Sequence, residues 1–188
     1  MRVTTSKAEI IHLIRAWAAL SLAFTILFAR GVNSLAEAGT LFIISGLTVG
    51  VAFLLHELAH KIVAQHYGLL AEFRSDGKML LIAIATAFFG IILAAPGAVY
   101  ISGHAGINRN GKISMAGPLV NIIFAALFLA ATFVFGQSML TQYGKMINAW
   151  LALFNMIPFG FFDGAKILKW NKIVYGSMVA ASLVLLIV

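Results

Sequence analysis

LFIISGLTVGVAFLLHELAH, residues 41–60, places a cluster of ionisable side chains at the end of an uncharged run. The run, 38–55, is close to the roughly 20 apolar residues that cover about 30 Å of hydrocarbon. His56, Glu57 and His60 follow directly. The rest of the chain has the same character: 62% of its 188 residues are hydrophobic and 10% are charged. A soluble domain averages about 25% charged, and one soluble core cannot absorb such a surplus of apolar surface. A bilayer can. The 13 Lys and Arg against 6 Asp and Glu would suggest nucleic acid in a soluble protein. Here they read as basic loops facing anionic headgroups, so the lipid bilayer is an expected partner and nucleic acid is not. Without Cys, disulfides, thiolate catalysis and Cys-type metal sites are excluded. Any metal must be held by His and carboxylates.

Further uncharged stretches are 79–101, 113–144, 146–162 and 173–188, and 10–29 makes a sixth candidate span. Arg2, Lys7 and Arg15 before an apolar run, with Ala36-Glu37-Ala38 beyond it, resemble a signal peptide. Arg15 and His12 break that layout, so 10–29 is read as a retained first span. If all six cross once, Arg2, Lys7, Arg15, Lys61, Arg74, Lys78 and Lys145 face one side and Arg30, Arg109, Lys112, Lys166, Lys169 and Lys172 the other. That even division violates the positive-inside tendency. If 79–101 instead dips in and returns, breaking at Ala94-Ala95-Pro96-Gly97 with a strand over 98–102, only Arg30 and Lys145 remain on the far side.

The expectation is therefore a single domain, 1–188, with its motifs in 41–168. It is an all-α polytopic integral membrane protein of five to six transmembrane helices with a small re-entrant and β-hairpin element. Its N-terminus and site opening are cytoplasmic. Six ordinary helices with a weak charge bias are the alternative. Tyr100-Ile101-Ser102 and Lys112-Ile113-Ser114, around a turn containing Asn110-Gly111, form the expected hairpin.

Two acidic residues, Glu57 and Asp163, sit in or just at the end of these stretches. A carboxylate at mid-bilayer costs on the order of 3 kcal/mol and needs a compensating partner. Residues four apart on a helix share a face, so His56 and His60 can turn both imidazoles to one zinc. Glu57, one step round, reaches a water on that zinc rather than the metal. Zinc brings the pKa of such a water toward about 7, and Glu57 can take its proton and later pass one to a leaving amine.

A third ligand is needed. His66 has the spacing of a longer three-His motif, but that motif turns the chain at a Gly where this sequence has Val63, and on a continuous helix His66 points about 120° from His60. His104 and His12 are weaker candidates. Asp163 fits by depth. His56 and His60 lie 15 and 19 residues past Leu41, and Asp163 lies 18 past Lys145, so helices entering from one face bring all three together. Asn155-Met156-Ile157-Pro158 comes just before. Pro158 kinks or ends its helix, and Gly164 lets the chain turn. Asn155 can donate to a developing oxyanion, bond a substrate backbone, or bond a neighbouring helix. Gly117-Pro118 and Asn121 allow close helix packing.

H-E-x-x-H in one span and N-x-x-P-x-x-x-x-D-G in a later one resemble the site-2 protease family of intramembrane zinc metalloproteases. Ser114-Met115-Ala116-Gly117-Pro118 with Asn121 is similar to the start of that family's middle core helix. The likeness covers about 56–164. It implies one zinc per chain held by His56, His60 and Asp163, a catalytic Glu57, and transmembrane proteins as substrates. Phe162 stands where the family often has Leu, and the PDZ or CBS modules of many members do not occur in these residues. Oligomeric state is not legible. The competing class is a metal-ion transporter or metal-binding membrane protein using the same site. A CAAX-type membrane protease would want Glu as third ligand, and no late span has one. If substrate must unwind, an open strand edge of the hairpin could capture it; the hairpin could equally be a structural plug.

Overall fold

The computed structural model describes residues 3–29, 34–92 and 96–188. Helix α1, Lys7–Phe28, starts at Ser6, whose hydroxyl accepts the Glu9 N–H. Helix α2, Leu35–Ser45, is capped by Ser34 and runs through a π-helical turn, Gly46–Gly50, into α3, Val51–His66. The three form one rod, Leu35–His66. The widened turn meets Trp17 of α1, whose indole N–H donates to the Gly46 carbonyl at 3.0 Å. A Cβ on Gly50 would lie 2.5 Å from that ring, so only Gly permits the contact.

Gly68, with φ 76°, turns the chain into strand β1, Leu70–Ser75. Helix α4, Gly77–Ala87, is capped by Asp76. Strand β2, Gly97–Ser102, then returns antiparallel to β1, with Leu70 opposite Ser102 and Ser75 opposite Gly97. The Asp76 N–H donates to the Pro96 carbonyl at 3.1 Å, so the excursion 76–96 begins and ends at one place. Of the expected breaking point, Ala94 and Ala95 lie outside the described residues, as does Arg30. Strand β2 agrees with the expected 98–102.

The expected hairpin is corrected. Lys112, Ile113 and Ser114 belong to α5, Gly106–Phe135, and Tyr100 pairs with Glu72. Asn110-Gly111 is not a turn: Gly111 is small because Trp170 lies against it, 2.3 Å from where a Cβ would stand. The division at Lys145 is corrected too. Helix α5 ends at Gly136, with φ 82°, and Ser138 and Thr141 form a capping box that starts α6, Met139–Asn155. Lys145 is inside that helix. Helices α7, Asp163–Trp170, and α8, Lys172–Ile187, complete the chain.

Among the described residues, α1, Leu35–His66 and α5 are long and apolar enough to cross a membrane; α4 and α8 are shorter apolar helices. The sheet lies between α1 and α3. Phe73 of β1 is fully buried with Ala16, Leu20, Val49 and Phe53. The sequence places Glu9 just ahead of the first apolar run, yet it is fully buried too. Its Oε2 takes the Lys61 ammonium at 2.6 Å, Lys61 also donates to Thr5, and its Oε1 accepts the Phe73 N–H at 3.0 Å. One ion pair thus ties α1, α3 and β1 together, and each charge satisfies the other inside an apolar core.

Candidate metal centre

His56 and His60 are one turn apart on α3, and Asp163 is the first residue of α7. Pro158 lies in the segment between α6, which ends at Asn155, and α7, which starts at Asp163. All three side chains are buried. His56 Nε2 lies 3.4 Å and His60 Nε2 lies 3.1 Å from Asp163 Oδ2, and the two Nε2 atoms are 3.0 Å apart. Donors about 2.0–2.1 Å from a tetrahedral zinc stand about 3.3 Å from one another. The donor set is that of a zinc site.

The hydrogen bonds behind the rings turn both Nε2 atoms toward Asp163. Asn121 donates its Nδ2 to the Ala52 carbonyl at 3.2 Å, and a carbonyl can only accept. Asn121 Oδ1 is therefore the atom 2.5 Å from His56 Nδ1, and that nitrogen carries the proton. His60 Nδ1 donates to the Ile113 carbonyl at 2.8 Å. In the neutral form of each ring, Nε2 then presents its lone pair toward the other ring and toward a carboxylate oxygen. Three lone pairs meeting in a buried space repel unless a cation sits among them. Gly117 of α5 leaves the room: a Cβ there would stand 2.3 Å from His60 Nε2 and 2.6 Å from His56 Nε2. The residues fit zinc.

Glu57 is buried in the same cavity of about 310 Å³, outside the cluster of ligand atoms. Its Oε2 accepts the backbone N–H of Val99 on β2 at 3.1 Å. Asn155 lines the cavity as well, and its Nδ2 donates to the Leu151 carbonyl of its own helix at 2.9 Å. His66 is exposed at the end of a helix that does not break at Val63, beside the Tyr67 ring. His104 is exposed in the segment before α5, and His12 bonds Ser75. None of these three joins the centre.

Asn121 reads from sequence as a packing residue only, and Asn148 not at all. In the structure Asn121 also donates to Asn148 Oδ1 at 3.1 Å, and Asn148 donates to the Gly144 carbonyl at 2.8 Å. The signal was present: an amide inside an apolar run must find partners, and two of them at matched depth can find each other.

No family model and no solved structure matches this chain. A curated protein of Methanocaldococcus jannaschii, named "Putative zinc metalloprotease", is 42% identical over 140 residues, covering 71% of this chain and 73% of that protein. This chain belongs to the same zinc metalloprotease family. Family membership and the fit of the donor set to zinc point the same way.

Proposed function

We propose that the protein is a zinc metalloprotease of the site-2 type, hydrolysing peptide bonds in or near transmembrane segments of other membrane proteins. The observation that carries this is the position of Glu57: a buried carboxylate beside the three ligands, not among them. An ion-transit site would use Glu57 on the ion itself, whereas a protease uses it on a water beside the metal. His56, His60 and Asp163 would hold one zinc per chain. When bound, the metal supplies Lewis acidity toward a substrate carbonyl and toward water. Glu57 takes the proton of the attacking water and delivers it to the leaving amine. Asn155 keeps one of its two Nδ2 hydrogens for the carbonyl oxygen of the substrate.

Several features support action within the bilayer. Three helices have spanning length, and the metal ligands lie on or beside them. With α6 and α8 crossing as well, and 76–96 returning to its origin, five crossings place most basic residues on the N-terminal, cytoplasmic side. The outer edge of β2 runs along the cavity, with Gly97, Val99 and Ile101 in its lining, and suits a substrate strand added there.

Glu57→Gln tests the reading. The variant should keep about one zinc per chain, measured on purified protein, and lose cleavage of a reconstituted single-span substrate. Retained cleavage would remove the proposed base. Lost zinc would instead favour an ion-transit site.

A further inference from the structure

We propose that Val99 is the substrate-docking residue of this site and that Glu57 is its resident competitor, so that a docking strand itself releases the catalytic base. This rests on the reading of β2 as the substrate edge.

Opposed residues of an antiparallel pair alternate between those bonded across the ladder and those whose N–H and C=O point outward. Phe73 and Val99 are opposite, and the N–H of each donates to a side chain outside the sheet. They are therefore an outward-pointing pair, and so, two residues either way, are Ala71 with Ile101 and Ser75 with Gly97. On the β1 side these outward groups are closed by the body of the protein. The Phe73 N–H bonds Glu9, the Ser75 N–H bonds His12 Nδ1 at 3.2 Å, and the Ala71 carbonyl takes Gln65 Nε2 at 3.1 Å. Glu9 is locked in turn by Lys61. Three of the outward groups of that edge are thus already taken.

The β2 edge differs in what closes it. It faces the cavity, and the side chain on its Val99 N–H is the carboxylate that the reaction needs. A strand added to this edge must bond the N–H and C=O of Val99. It therefore competes with Glu57 for one donor. When a substrate carbonyl takes the Val99 N–H, Glu57 Oε2 loses the donor that ties it to the strand and can turn toward water beside the ligands. No covalent bond changes; one N–H exchanges one acceptor for another. Extended chain is thus both the thing recognised and the signal that frees the carboxylate from the strand.

The test uses three inactive, zinc-loaded full-length proteins, so that binding is read without cleavage. In Glu57→Gln the amide oxygen still accepts from Val99; in Glu57→Ala nothing does; in Glu57→Ala with Val99→Pro the donor itself is gone. Proline is tolerated where a strand N–H points out of the ladder. The probe is a fluorescent single-span peptide that the wild-type protein cleaves. Glu57→Ala should bind it roughly tenfold more tightly than Glu57→Gln, and adding Val99→Pro should abolish that gain. Equal affinities for the Ala and Gln variants, with binding weakened by Val99→Pro, would overturn the competition and leave strand docking standing. A gain that survives Val99→Pro would overturn it as an effect of side-chain volume. Binding indifferent to Val99→Pro would remove the docking edge itself, while cleavage and zinc content of the wild type report separately on the protease reading. Should Val99→Pro fail to fold, hydrogen exchange at the Val99 amide decides: without peptide it should be faster in Glu57→Ala than in Glu57→Gln, and equal rates would sink the proposal.

Discussion

Asn121 Oδ1 lies 2.5 Å from His56 Nδ1, and through it α5 fixes which nitrogen of His56 on α3 faces His60 and Asp163. Residues that orient a metal-binding imidazole typically contribute 10–100-fold in affinity. Asn121→Leu should weaken zinc binding within that range while His56, His60 and Asp163 are all intact. Competition against a chelator of known affinity measures it, and unchanged affinity would show that the imidazole orients itself.

Gly117→Ala should abolish zinc binding although His56, His60 and Asp163 are all unchanged. The added methyl would stand 2.3 Å and 2.6 Å from the two Nε2 atoms, closer than any carbon can approach a nitrogen, so the rings or α5 must move. Metal analysis of the folded variant checks this; full zinc occupancy would mean that α5 gives way at little cost.

Asp163→Ala should lose more zinc affinity than any supporting residue, beyond roughly 100-fold, whereas His66→Ala should keep both metal and activity. Asp163 Oδ2 faces both imidazoles; His66 is at the exposed end of an unbroken helix. Because metal binding and folding can be coupled, the helical content of each variant is measured alongside its zinc. A folded Asp163→Ala protein that binds zinc as wild type does would exclude Asp163 as a ligand.

Arg74 and Arg109 should face the same side of the membrane. The excursion 76–96 closes on itself, and Arg109 stacks over the Tyr67 ring, just ahead of the strand that carries Arg74. The chain has no Cys, so Arg74→Cys and Arg109→Cys can be labelled singly in sealed vesicles. Labelling from opposite sides would mean that 76–96 crosses.

The metal centre was legible because its chemistry is local or rare. His56, Glu57 and His60 lie within five residues, and Asp163 is one of few carboxylates near an apolar run. The sheet was harder. The partner of Tyr100 is Glu72, and the intervening α4 hides the pairing from any scan for a short turn. Glu72 and Arg74 also made β1 look like a polar interruption. They are the outward half of an alternation whose inward half, Ala71 and Phe73, is buried. Counting charges also misplaced the start of α6. Gly136 and Ser138 end one helix and begin the next without any charge to mark the boundary, while Lys145 sits inside the second. Glu9 escaped for the opposite reason: its depth depends on Lys61, which no local pattern connects to it.

The Glu9–Lys61 pair also imposes an order of assembly. A carboxylate cannot settle in an apolar interior alone, so Glu9 must wait for Lys61, 52 residues later. Only then does the Phe73 amide have an acceptor at that depth, and only when β1 is seated does β2 have a wall to pair with. Through β1 and β2, that ion pair stands behind the Val99 amide that meets Glu57.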